Sequence, residues 1–129
     1  MGEDAERAAS LAVWEKLNLL LEKHCVTIKN NVELLGEHLN RARENGDAPQ
    51  DALSDVGALA HQLKGSSGTA GFHDICVAAT ALNDHLNAIK DREGAPLREG
   101  VLEAIELYER LSLASKAASP QSSALYLVA

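Results

Sequence analysis

His61 lies in the segment Leu59-Ala60-His61-Gln62-Leu63-Lys64-Gly65-Ser66-Ser67-Gly68-Thr69-Ala70-Gly71-Phe72, and the residues around it suit nucleophilic chemistry. A neutral imidazole is a nucleophile at cellular pH, because its unperturbed pKa is about 6.5. Lys64, three residues on, would hold its ammonium one helical turn from the ring, where it could meet an anionic group. At about 100° per residue, Val56, Leu59, Leu63, Ser67 and Ala70 share one side of a helix, and His61, Lys64, Gly65 and Gly68 share the other. Glycine inside a helix costs about 1 kcal/mol relative to alanine. Two of them beside an outward-facing imidazole therefore predict that another surface comes very close to this turn.

The same residues resemble the signature of the histidine-containing phosphotransfer (HPt) domain family: histidine, any residue, leucine, lysine, glycine, two small residues and a further glycine. In this chain the pattern falls on His61, Leu63, Lys64, Gly65, Ser66, Ser67 and Gly71, with the apolar run Leu53 to Leu59 ahead of it and Phe72 behind. A weaker helical similarity extends from about Leu17 to Leu113. The resemblance implies that His61 carries a phosphoryl group, accepted from a receiver-domain aspartate of a hybrid sensor kinase and passed to a response-regulator aspartate. It implies that Lys64 steadies the phosphate, and that Gly65, Gly68 and Gln62 belong to the receiver-binding surface. Transfer of this kind is mainly positioning and charge neutralisation. No cofactor of its own is implied, the Mg2+ being expected on the receiver.

Asn83 aligns with a polar position on the adjacent helix that often faces the histidine in the family. Bacterial members frequently have a carboxylate there, so the amide is a departure, although its oxygen could accept from Nδ1 and leave Nε2 as nucleophile. Asn87 stands where a basic residue is common, which leaves Lys64 to carry the phosphate charge largely alone. Two alternatives stay open: the histidine-bearing domain of a chemotaxis-type kinase, phosphorylated in trans, or a helical adaptor in which His61 is incidental.

Several function classes are excluded by what is missing. Lys64-Gly65-Ser66-Ser67 has the wrong order for a phosphate-binding nucleotide loop, so phosphate must be received rather than made from ATP. A net charge of −7 without a block of Lys and Arg argues against nucleic acid or an anionic membrane. His24, His38, His73 and His85 are scattered without metal-ligand spacing and read as surface residues. Cys25 and Cys76 read as buried, reduced thiols. Met1 to Ser10 carries Glu3, Asp4 and Glu6 and no apolar stretch, and no apolar run approaches the ~18 residues of a membrane span. The expectation is a cytoplasmic monomer.

The elements that position the motif follow from periodicity. Hydrophobic residues make up 46% of the chain and aromatic ones 3%, so the core must be Leu, Ala, Val and Ile, and runs typical of strands are missing. Asp4 is a candidate N-cap, with apolar spacing continuing to Leu39 and a stop at Asn45-Gly46. Gly36 and Val26-Thr27-Ile28 are weak points, leaving open one bent helix or a short helix followed by a long one. After the turn Asp47-Ala48-Pro49, a second helix carries His61 to about Ala70. A corner at Gly71 leads to a third helix that closes at Asp91 to Gly94, and Ala95-Pro96 starts the fourth. Short connections force antiparallel neighbours. The expected fold is all-α, an up-down-up-down four-helix bundle with an additional N-terminal helical segment, over residues 1–117. Residues 118–129 form a tail, flexible or packed back, ending in Leu125-Tyr126-Leu127-Val128.

Overall fold

A computed structural model describes residues 2–44 and 50–126, as four helices and one short 3-10 turn. The helices are α1 (Gly2–Glu44), α2 (Gln50–Thr69), α3 (His73–Ile89) and α4 (Gly94–Ala117), with the turn at Pro120–Ser122. Each helix packs against its neighbours in sequence and α4 closes against α1, giving the all-α antiparallel bundle. The expected stop at Asn45-Gly46, the turn through Pro49 and the tail end at Leu127-Val128 lie outside the described residues.

The first helix is continuous. Leu21, Cys25, Ile28, Val32, Leu35, Leu39 and Ala42 are all buried, and they alternate four and three apart, the spacing that keeps one seam of a helix against its neighbours. Gly36 does not break it, because it lies against the Tyr108 ring of α4, where an added Cβ would overlap the phenol hydroxyl. Burial, the Glu33 and Glu37 carboxylates raise the Tyr108 pKa above 10.0, against a lowering hydrogen bond from Ser112. Asp4 is not the cap: the helix starts at Gly2, and Glu3 and Asp4 occupy its first turn, where carboxylates face the positive end of the helix dipole.

The corner between α2 and α3 depends on Gly71, whose φ of 79° is in the left-handed region that glycine enters without penalty. The Phe72 N–H donates to the Ser67 carbonyl at 2.9 Å and the Gly71 N–H to Gly68 at 3.2 Å, satisfying carbonyls that a helix end would leave bare. Phe72 then turns inward and is 2% exposed. The tail packs on this corner. The Ser123 hydroxyl donates to the Ala70 carbonyl, the Ala124 N–H to Gly71 at 2.9 Å, and the Cys25 thiol contacts the Ala118 carbonyl at 3.8 Å.

The core that results is aliphatic. Ile28, Leu35, Leu39, Leu63, Ile75, Leu82, Ile89 and Leu111 are its largest fully buried side chains, each contributing on the order of 1.5–3 kcal/mol by leaving water. Gly100 lets α4 approach α3 closely, since a Cβ there would lie 2.8 Å from the Ile89 side chain. Between residues 3 and 20, by contrast, α1 has no buried residue.

Candidate functional site

The buried side of α2 is set by Leu53, Val56, Ala60, Leu63 and Ser67, which recur at three and four residues and turn His61 outward. Leu59, expected on that side, is half-buried at its edge. His61 and Gln62 are exposed, and no hydrogen bond or ion pair engages the His61 ring among the described residues. The imidazole is thus open to a partner. Lys64 is half-buried one turn on. Both described ion pairs belong to other residues, His38 with Asp55 and His85 with Glu103, so the Lys64 ammonium is committed to no carboxylate among the described residues.

The glycines divide by what surrounds them. A Cβ built on Gly65 meets nothing within 4 Å, and the same is true of Gly57. Gly57 is one turn before His61 on the same face, as Gly65 is one turn after it, so the open strip reaches both ways from the imidazole. Sequence reasoning passed over Gly57. Its i−4 spacing was the available signal, but it falls outside the motif. It borders a cavity of about 370 Å³ shared with Leu53, Leu86, Asn87 and Lys90.

Gly68 is different. It is exposed, yet its Cβ would lie 3.3 Å from the Cys76 Sγ, so its small size serves the contact between α2 and α3. Ser67 is fully buried and its hydroxyl donates to the Leu63 carbonyl, as the half-buried Ser66 does at 3.5 Å. Both serines satisfy themselves within the helix.

Gly68 against Cys76 at one end, and Gly57 beside Asn87 at the other, fix an antiparallel register that brings Asn83 level with Ala60 and His61. Asn83 is 9% exposed, and no hydrogen bond joins it to His61 among the described residues. The polar residues nearest in register keep to themselves, with the Thr80 hydroxyl donating to the Cys76 carbonyl at 2.7 Å.

Two histidines expected at the surface do structural work instead. His85 is half-buried and its Nε2 donates to the Gly100 carbonyl at 2.8 Å, tying α3 to α4. His38 places Nδ1 3.8 Å from the Asp55 carboxylate, between α1 and α2. No group of three or more His, Cys, Asp or Glu side chains suited to a metal ion occurs among the described residues. Cys25 and Cys76 are free thiols, but only Cys25 is buried, and Cys76 is half-exposed with its Sγ 3.5 Å from the Lys64 carbonyl. No described helix is long and apolar enough to cross a membrane.

Taken together, an uncommitted imidazole, an uncommitted ammonium one turn away and two flanking positions without side chains can present a nucleophile to a group held on another protein. The family model for the Hpt domain matches residues 19–114, a stretch containing all of α2 and α3 and the apolar seam of α1. No curated protein and no solved structure gives a significant match.

Proposed function

The chain belongs to the Hpt domain family, whose members carry phosphoryl groups in His–Asp phosphorelays by interacting with receiver domains, and from that premise we propose that His61 is the phosphoacceptor. The observation that carries this reading is the open strip Gly57–His61–Gly65, clear of side chains on both sides of an unpartnered imidazole. A flat approach by a receiver's aspartyl phosphate requires that clearance. A positively charged group beside the ring is the second requirement, and Lys64 supplies it.

In the reaction, a neutral His61 nitrogen attacks the phosphorus of an aspartyl phosphate. An N–P bond forms, the P–O bond to the aspartate breaks, and the receiver's carboxylate leaves with the bonding pair. The Mg2+ that neutralises the acyl phosphate is brought by the receiver. Asn83, level with the ring, can turn its amide oxygen toward Nδ1–H and leave Nε2 to attack. The phosphoramidate formed is reactive enough to pass the group to a second aspartate without further energy input, so the chain serves as a carrier between the receiver of a hybrid sensor kinase and a response regulator.

The test uses a receiver domain charged by a small-molecule phosphodonor, mixed with the chain in the absence of kinase and ATP. Acid-labile phosphate should move onto the chain and be absent from His61→Gln. Lys64→Ala should slow transfer by about ten- to a hundredfold, because charge-assisted contacts to phosphate are worth about 1.5–3 kcal/mol. Phosphate on His61→Gln would place the acceptor elsewhere. A chain that is charged only by a kinase with ATP would be a chemotaxis-type substrate, and one never charged would be an adaptor.

A further inference from the structure

The first five turns of α1 are not explained by phosphotransfer. The family match begins at residue 19, and the first buried residue of the helix is Leu21. At 1.5 Å per residue, α1 is about 65 Å long, against about 36 Å for α4, the next longest. Its N-terminal part stands clear of the bundle. This part is not a bare polar extension, because Leu11, Val13, Leu17, Leu19 and Leu20 are each at least 41% exposed. Val13, Leu17 and Leu20 fall within one third of the helix circumference at 100° per residue, so they form a stripe.

The stripe does not end with the overhang. Leu17 and Leu20, joined by Leu21 and His24, form one wall of a groove of about 370 Å³ whose other wall includes Gly65 and Ser66 of α2. Specific interfaces engage about 20–30 residues a side. Five helical turns alone fall short of that, and the overhang together with the groove reaches it.

The charges select the occupant. Glu6, Arg7, Glu22 and Lys23 are exposed, and none of them takes part in an ion pair among the described residues. Laid antiparallel on a second α1 with Glu6 opposite Lys23, the helix also brings Arg7 opposite Glu22, and by symmetry each pair forms twice. The same register sets Val13 opposite Leu17 and lays Ala9 and Ala5 over Leu20 and His24, where small side chains can enter the groove. A parallel arrangement would set every one of the four charges against its own kind.

We propose that residues 2–20 of α1 form an antiparallel interface with a second copy of this chain, seated along its Leu17–Leu20 stripe and groove. This departs from the monomer expected from the sequence and does not depend on the role of His61. The groove ends at Gly65, so the paired copy borders the face around the imidazole.

The experiment is mass determination by light scattering and sedimentation across micromolar to millimolar concentrations, on the full chain and two charge-swapped variants. The unsubstituted chain should approach twice its 13.7 kDa mass. Glu6→Lys with Arg7→Glu, and separately Glu22→Lys with Lys23→Glu, should each weaken association by about tenfold or more. An equimolar mixture of the two variants should regain the dimer, since all pairs are again opposite in sign. All eight sites are exposed, and unchanged helicity by circular dichroism keeps loss of fold separate from loss of pairing. A monomeric unsubstituted chain, swaps that leave association intact, or a mixture that does not recover would each overturn the proposal.

Discussion

Gly57 and Gly65 on α2, and Gly36 and Gly100 on α1 and α4, are the same residue in helix interiors under the same local cost. At Gly36 and Gly100 the space a side chain would need is already taken, by the Tyr108 ring and by Ile89. At Gly57 and Gly65 it is empty to 4 Å. Packing within the chain accounts for the first pair. Nothing within the described chain accounts for the second, and both of its members flank His61. The difference separates glycines that hold the bundle together from glycines that leave room for something outside it.

The comparison is broken most directly at Gly36. Placing a β-branched side chain against the Tyr108 ring, as in Gly36→Val, should destabilise the bundle by about 1–3 kcal/mol, seen as a lower urea midpoint with an unchanged slope. Combining it with Tyr108→Ala should recover part of that loss, because the two sites are in contact and their effects are not additive. Loss of the same size without Tyr108 would mean that the ring is not what occupies the space.

Much of α2 was legible because its information is local. The stripe Val56, Leu63, Ser67, Ala70 and the outward set His61, Lys64, Gly65 follow from helical phase, which burial reproduces except at Leu59 and Ala60. What depends on another helix was not legible. Gly36 looked like a weak point and is a seat for Tyr108, 72 positions away in the chain; Gly68 looked like part of the open face and rests on Cys76. His85 looked like a surface residue until the Gly100 carbonyl stood opposite it. Nor could the tail be placed by composition, since its position rests on Ser123 reaching the Ala70 carbonyl. Gly57 is the exception, a local signal missed because attention ran forward from the histidine and not back.

The open pair gives the second test, with the opposite sign on stability. Gly65→Gln adds a side chain where nothing is displaced, so helix propensity should raise stability by up to about 1 kcal/mol. Phosphotransfer from a charged receiver should nevertheless fall by about tenfold or more, as expected when an approach is blocked by more than about 1.4 kcal/mol. A normal transfer rate would mean that the clearance at Gly65 is not used, and would weaken the same argument for Gly57.

Gly68 lies between the two kinds and carries the smallest expected effect. Its Cβ would sit 3.3 Å from the Cys76 Sγ, closer than a relaxed contact, but the thiol is a single polarizable atom at a half-exposed site and can shift by a few tenths of an ångström. Gly68→Ala should therefore lose through that contact about what it gains in helix propensity, leaving stability within about 0.5 kcal/mol of the starting value. Removing the thiol as well isolates the propensity gain: in a Cys76→Ala background, Gly68→Ala should stabilise by up to about 1 kcal/mol. Thermal melts of the four combinations measure the difference. If Gly68→Ala is equally stabilising with and without the thiol, Cys76 does not constrain it, and Gly68 joins Gly57 and Gly65 on the face left open for a partner.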